Sequence, residues 1–296
     1  MVNKDLTADF CITIDFKKES EAPSRIFRSL SHLIDSFHSF DLDLLQSIDA
    51  KIEPIILLED IETGSIKTWL KYALTEVEDE ALKQLDWKPA IGKYLVKAKY
   101  YVIKFLEDKT EITDRVQIED LNKDLLKLAN ETDIKHIPAY APLPTQKLLQ
   151  HLEDFTAATS YLTHEDKAKY TTREDEASFN LGFSIIPEVI ENILTREIIE
   201  SNITLILKIK KPDYLGESQW ELRYDNKIIP VKISDSIWLK DFQDRKVDVR
   251  PGDSIRAKVR ITTKYGYDLN IVSISYNITE VVEVIPLTSH GQDFLL

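Results

Sequence analysis

The chain has 296 residues, 43% of them hydrophobic and 30% charged, a balance that excludes a disordered protein and a membrane bundle. A net charge of −13 and a pI near 5.0 argue against nucleic-acid binding as the main task, because such affinity rests on neutralising phosphate. Cys11 is the single cysteine, so no intramolecular disulfide and no all-cysteine metal site is available, and seven glycines leave little for phosphate-cradling loops.

Phe10, Ile12, Ile14 and Phe16 alternate with Cys11, Thr13 and Asp15, the period of a strand with one buried face. Cys11 then reads as a buried, inert thiol. The first ten residues hold no apolar leader core, and no run nears the ~18 apolar residues of a membrane span, so a reducing cytoplasm is expected. After Pro23, the spacing of Ile26, Phe27, Leu30, Leu33, Ile34 and Phe37 predicts a helix with one apolar side.

Lys51–Leu70 is the stretch around which the first half is organised. Ile55–Leu58 is aliphatic on both faces, which predicts an interior strand covered on both sides. Glu62–Ser65 supplies a turn with Gly64, and a second strand follows to Trp69 and Leu70. Strand, helix, strand, strand is the start of a split βαβ unit.

From Thr75 the pattern turns helical, with Glu76, Glu78, Asp79 and Glu80 in a first turn. Two more helices are predicted, one from Pro89 to Asp108 and one capped by Thr113 or Asp114 and carrying Ile118, Leu121, Leu125 and Leu128. Three prolines between Pro138 and Pro144 break the pattern; Leu148, Leu149, Leu152 and Phe155 resume it. Thr163–Glu176 is polar, charged and without period, hence a linker.

Beyond it the period is two. Phe179 to Ile185 alternate, Pro187 opens a short helix through Leu194, and Ile203 to Ile209 alternate again. Trp220, Leu222 and Tyr224 run into the turn pair Asp225-Asn226, and Ile229, Val231 and Ile233 run out of it. Ser234 or Asp235 caps a helix bearing Trp238 and Phe242, and Arg250–Asp253 makes a tight turn. Val272 through Val284 hold one phase, interrupted by Glu280, which marks a bend, an edge or a place where another chain is received.

These elements predict an α+β protein. Residues 1–162 form a split-βαβ-type α/β sandwich with added helices, and 163–176 a charged linker. Residues 177–287 form a small antiparallel β-barrel or sandwich with short helices, and 288–296 a tail.

The chemistry-bearing motifs are few. There is no Walker, dinucleotide-binding, nucleophile-elbow, HExxH or CxxC pattern, so no cofactor and no metal is expected. His32 and His38 are six apart, not the four of a helical metal pair. Asp15, Glu59, Asp60 and Lys67 compose a carboxylate–lysine set of the kind that holds Mg²⁺ in nucleases and phosphoesterases; a solvated hairpin turn accounts for the same acids more plainly. Lys93, Lys97, Tyr100 and Lys104 fall at helical spacing and make a basic stripe able to contact phosphate or an acidic partner, unless it is an ordinary solvated face.

The run Trp220–Asp235, with Trp238, Phe242 and Arg250–Val259 after it, resembles a β module at the C-termini of uncharacterised bacterial proteins, some encoded among mobile-element and phage-defence genes. Leu58–Ile66 is similar to a hairpin in accessory domains of comparable proteins. The resemblance implies a bacterial interaction or adaptor protein, an accessory component of an anti-phage system, and carries no catalytic residue. A protein partner or self-association is therefore expected first. A metal-dependent nuclease and a nucleic-acid-binding accessory factor are the alternatives, and no membrane role is expected.

Overall fold

The computed structural model describes residues 9–16, 22–47, 52–62, 65–76, 87–131, 142–214 and 219–287. Their contacts divide into two compact units, Met1–Ile193 and Leu194–Leu296, and the architecture is mixed α+β. Charge divides with them. Leu194–Leu296 holds 15 Lys/Arg and 15 Asp/Glu, so the entire −13 resides in Met1–Ile193.

The first unit is built on β1 (Phe10–Asp15), the middle strand of a sheet ordered β2 (Ile52–Glu62), β3 (Ile66–Glu76), β1, β4 (Lys167–Thr172), β5 (Glu176–Ser178). Every neighbouring pair is antiparallel. β3 lies between β1 and β2, which makes those two parallel to each other, linked by α1 (Ser24–Ser47): the split βαβ unit that the sequence predicts.

Helices α2 (Trp87–Glu107), α3 (Arg115–Glu131) and α4 (Thr145–Thr159) complete the layer. Asp114 caps α3, its carboxylate accepting from Gln117 N at 3.1 Å. Phe10, Ile12 and Ile14 bury one face of β1. The fully buried Phe37 of α1 fixes the layers together, its ring centroid 6.0 Å from Phe10, 5.1 Å from Phe155 and 5.6 Å from Tyr170.

Several expectations are corrected here. β2 is the edge strand, not an interior one. Ile55, Leu57, Leu58 and Ile61 are each 41–58% exposed, because among the described residues only β3 pairs with it. A bulge between Leu58 and Asp60 leaves Glu59 outside the register. The segment at Thr75 continues β3 to Glu76 instead of starting a helix, and the acids after it lie outside the described residues.

Nor is Thr163–Glu176 a linker. Lys167–Thr172 is β4, registered along the whole of β1, with Ala168 and Tyr170 buried. Just before it, the Asp166 carboxylate accepts from Thr163 N at 2.7 Å and Thr163 Oγ1 at 2.8 Å, and forms a two-point ion pair with Arg25 at the start of α1. Burial opposes ionisation of Asp166, but these donors outweigh it and hold the pKa down at about 2. Phe179, Phe183 and Ile185 are buried within the first unit, and most of that stretch is irregular chain instead of a strand.

α5 (Pro187–Leu194) has the predicted bounds. The second unit is a closed five-stranded barrel of β6 (Thr195–Lys211), β7 (Trp220–Tyr224), β8 (Lys227–Ile233), β9 (Ser254–Gly266) and β10 (Ile271–Ile285), in the order β10-β8-β7-β6-β9. All pairs are antiparallel except β8 with β10, and α6 (Ser236–Gln243) bridges β8 and β9. This is a small closed Greek-key barrel.

Asp225 and Asn226 both take positive φ (46° and 59°), the requirement of a two-residue hairpin turn. Asp235 caps α6 by accepting from Trp238 N at 3.1 Å. Trp220 is 1% exposed and packs on Trp238 and Phe242, so the barrel's tryptophans fill its core. β10 does not hold a single phase. Bulges after Ile278 and Val281 turn Val281 and Val284 onto the core and leave Val282 half exposed. Glu280 sits at that bend, ion-paired with Lys258 at 2.8 Å.

Candidate functional site

The carboxylate–lysine set does not converge. Asp60 lies opposite Trp69, Trp69 opposite Cys11, and Asp15 is four residues further along β1. Strand geometry therefore puts Asp15 and Asp60 about 16 Å apart. Lys67 is ion-paired with Glu62 at 3.8 Å, and Glu59 stands out at the bulge. Among the described residues no group of three metal-ligating side chains comes together. Glu59, Asp60 and Glu62 lie on β2 itself, before the turn and not in it.

The basic stripe splits in two. Lys104 is bound to Glu107 on its own helix, and Tyr100 stacks edge-on against Tyr101. Lys97 and Lys93, about one and two turns before Tyr100, line a cleft of about 450 Å³ between α2 and strands β3 and β4. Lys71 joins them from β3 and Arg173 from the bend after β4, both distant in sequence. Tyr72, Leu74 and Val96 give the apolar wall. Two carboxylates are present: Asp9, which accepts from Tyr72 N at 2.8 Å, and Glu174, 3.3 Å from Lys97.

Tyr72 links the cleft to a buried polar network. Its hydroxyl donates to Asp41, which also takes the Lys99 ammonium; both charged residues are 0% exposed. Lys99 donates further to Leu95 O at 3.1 Å and lies 5.1 Å from the Tyr72 ring centroid. Burial pushes the Asp41 carboxyl up and the Lys99 ammonium down, and each partner opposes the other's shift. Burial and the neighbouring Asp41 raise the Tyr72 phenol well above its ordinary range. The network is sealed from solvent, so it fixes the cleft wall and offers no reagent to it.

Sequence reasoning missed this pair, although a trace of it is present. Asp41 falls four residues after Phe37 and Lys99 four after Leu95, each interrupting an apolar helical stripe.

The second exposed feature is the outer edge of β2. It offers one side of an eleven-residue strand with which no described strand pairs, flanked on both faces by aliphatic side chains. It also carries Glu53, Glu59, Asp60 and Glu62 and no cation. Native edges are usually blunted by charge, proline or a bulge; here Pro54 and the bulge at Glu59 frame an unblunted aliphatic centre.

No family model, curated protein or solved structure matches the chain.

Proposed function

We propose that this chain is a non-enzymatic interaction protein whose partner adds an extended segment to the free edge of β2. The observation that carries the reading is the exposure of Ile55, Leu57, Leu58 and Ile61 on a strand with which, among the described residues, β3 alone pairs. Contiguous apolar patches of roughly a few hundred Å² on a soluble protein mark interaction sites. Strand addition would pair the vacant backbone groups while the aliphatics supply the apolar contact.

The acids fix the kind of partner. An edge bearing four carboxylates and no base suits a strand that carries Lys or Arg, whereas self-pairing would gather the carboxylates of both copies in one junction. The bacterial, defence-associated setting rests on the resemblance of Trp220–Val259 alone.

A photo-crosslinking residue at position 57 in a bacterial host should capture one protein that a crosslinker at the exposed Val116 of α3 does not. That protein, purified, should bind with affinity lowered about tenfold or more by Leu57→Lys. Equal capture at both positions, or binding indifferent to Leu57→Lys, refutes the reading. A stable dimer joined through β2 replaces the basic partner by a second copy.

A nucleic-acid reading draws on the barrel. Its strand order is one used for oligonucleotides, and Lys208 stands in register with Arg223, two like charges that an anion would relieve. The outward residues of β7 and β8 are Glu221, Arg223, Ile228, Pro230 and Lys232. None is an aromatic on which a base could stack, so this reading stands second. Salt-sensitive retention on single-stranded DNA, lost in Lys208→Glu/Arg223→Glu, would reverse the order.

A further inference from the structure

The cleft beside α2 inverts the charge of the unit that contains it. Met1–Ile193 has 23 Lys/Arg against 36 Asp/Glu, yet four cations and two carboxylates line this opening. Asp9 is occupied by the Tyr72 amide and Glu174 by Lys97. Lys93 and Arg173 have no carboxylate within ion-pair distance among the described residues. Among the described residues the lining therefore carries two more cations than carboxylates, above an apolar wall.

Gly92 gives a second, independent indication. It lies within α2, where glycine is disfavoured against alanine by its backbone freedom. Close packing is the usual reason to keep such a glycine. Here a Cβ would meet nothing within 4 Å, so packing does not require it. What the missing side chain does is leave bare helix backbone at the cleft, beside Lys93 and Val96. An occupant can approach α2 there more closely than any other residue would allow.

We propose that this cleft binds a nucleoside phosphate. Its volume of about 450 Å³ lies within the range of small-molecule sites. The phosphate meets Lys93 and Arg173, with Lys71 and Lys97 beside them, while the planar base lies on Tyr72, Leu74 and Val96. The buried Lys99–Asp41–Tyr72 network holds that wall in place before the ligand arrives. This site is separate from the β2 edge and does not depend on the partner assigned to it.

The test is calorimetry on the full chain with ADP, GDP, adenosine and inorganic phosphate, alongside thermal denaturation. ADP or GDP should bind saturably and raise the melting temperature, with adenosine and phosphate each at least about tenfold weaker. Lys93→Glu/Arg173→Glu should weaken binding by about tenfold or more. Gly92→Leu removes no charge and fills the opening, and it should weaken binding as much, its helical content checked by circular dichroism. Lys104→Glu, about 10 Å along α2 from Lys97, should change little. The proposal is overturned if neither nucleotide binds below about 1 mM, if binding survives both cleft variants, or if Lys104→Glu weakens it equally. Tight binding of a single-stranded oligonucleotide without binding of either nucleotide also overturns it.

Discussion

Asp166→Asn removes the charge that ties the chain before β4 to the start of α1. The wild-type carboxyl has a pKa of about 2 against an ordinary 3.8, so folding favours its ionised form by about 2.4 kcal/mol at neutral pH. The folded pKa is the depressed one; the stabilisation is therefore complete above about pH 5 and is lost as pH falls through 2. Linkage gives about 1.3 kcal/mol remaining at pH 3 and about 0.4 at pH 2. Urea denaturation followed by the helical circular dichroism signal reports on the first unit, which holds α1 to α4. Wild type minus Asp166→Asn should be about 2 kcal/mol at pH 7 and shrink by about half at pH 3. A difference below about 0.5 kcal/mol at pH 7, or one that does not shrink with acid, would show that the Arg25–Asp166–Thr163 contact does not hold this segment to the fold.

Lys99→Met leaves the Asp41 carboxylate buried with only Tyr72 as donor and should cost about 3–5 kcal/mol; adding Asp41→Leu and Tyr72→Phe should recover most of it. Equal stability of the single and triple variants in urea would contradict the burial of this pair. Trp220→Ala empties the centre of the barrel's aromatic cluster and should cost about 3–5 kcal/mol, read by the fluorescence of Trp238, 5.8 Å away; a loss under about 1 kcal/mol would mean that the barrel does not close around it.

Local patterns in the sequence specify the elements well and their neighbours poorly. The period of 3.6 in α1 to α4, the proline opening α5, the turn Asp225-Asn226 and the cap at Asp235 are all short-range chemistry, and each stands where expected. Strand order is not short-range. Ile55–Leu58 has the same composition whether a partner strand, a helix or another protein covers it, so the sequence alone could not tell an edge from a centre. β4 was hidden because Lys167 and Lys169 alternate with Ala168 and Tyr170. The charged face masks a buried one that contains only two informative residues. The cleft was half visible: α2 carries Lys93 and Lys97 within one helical stripe, but Lys71 and Arg173 arrive from other parts of the chain.

The extra residue at Glu59 also sets what kind of change the acidic hairpin can absorb. Beyond the bulge, Asp60 and Glu62 register with Trp69 and Lys67, while Ile61 meets Thr68 on the side where Thr68 and Ile12 are buried. Delete Glu59 and the same pairs stand without the bulge, Leu58 opposite Leu70 and Asp60 opposite Trp69; keep it but flatten the bulge and Asp60 falls opposite Thr68, a carboxylate turned to the buried side. The strand end can therefore lose that one residue without changing which side chains face inward, whereas flattening the bulge with Glu59 retained exchanges inside for outside along everything that follows up to the turn.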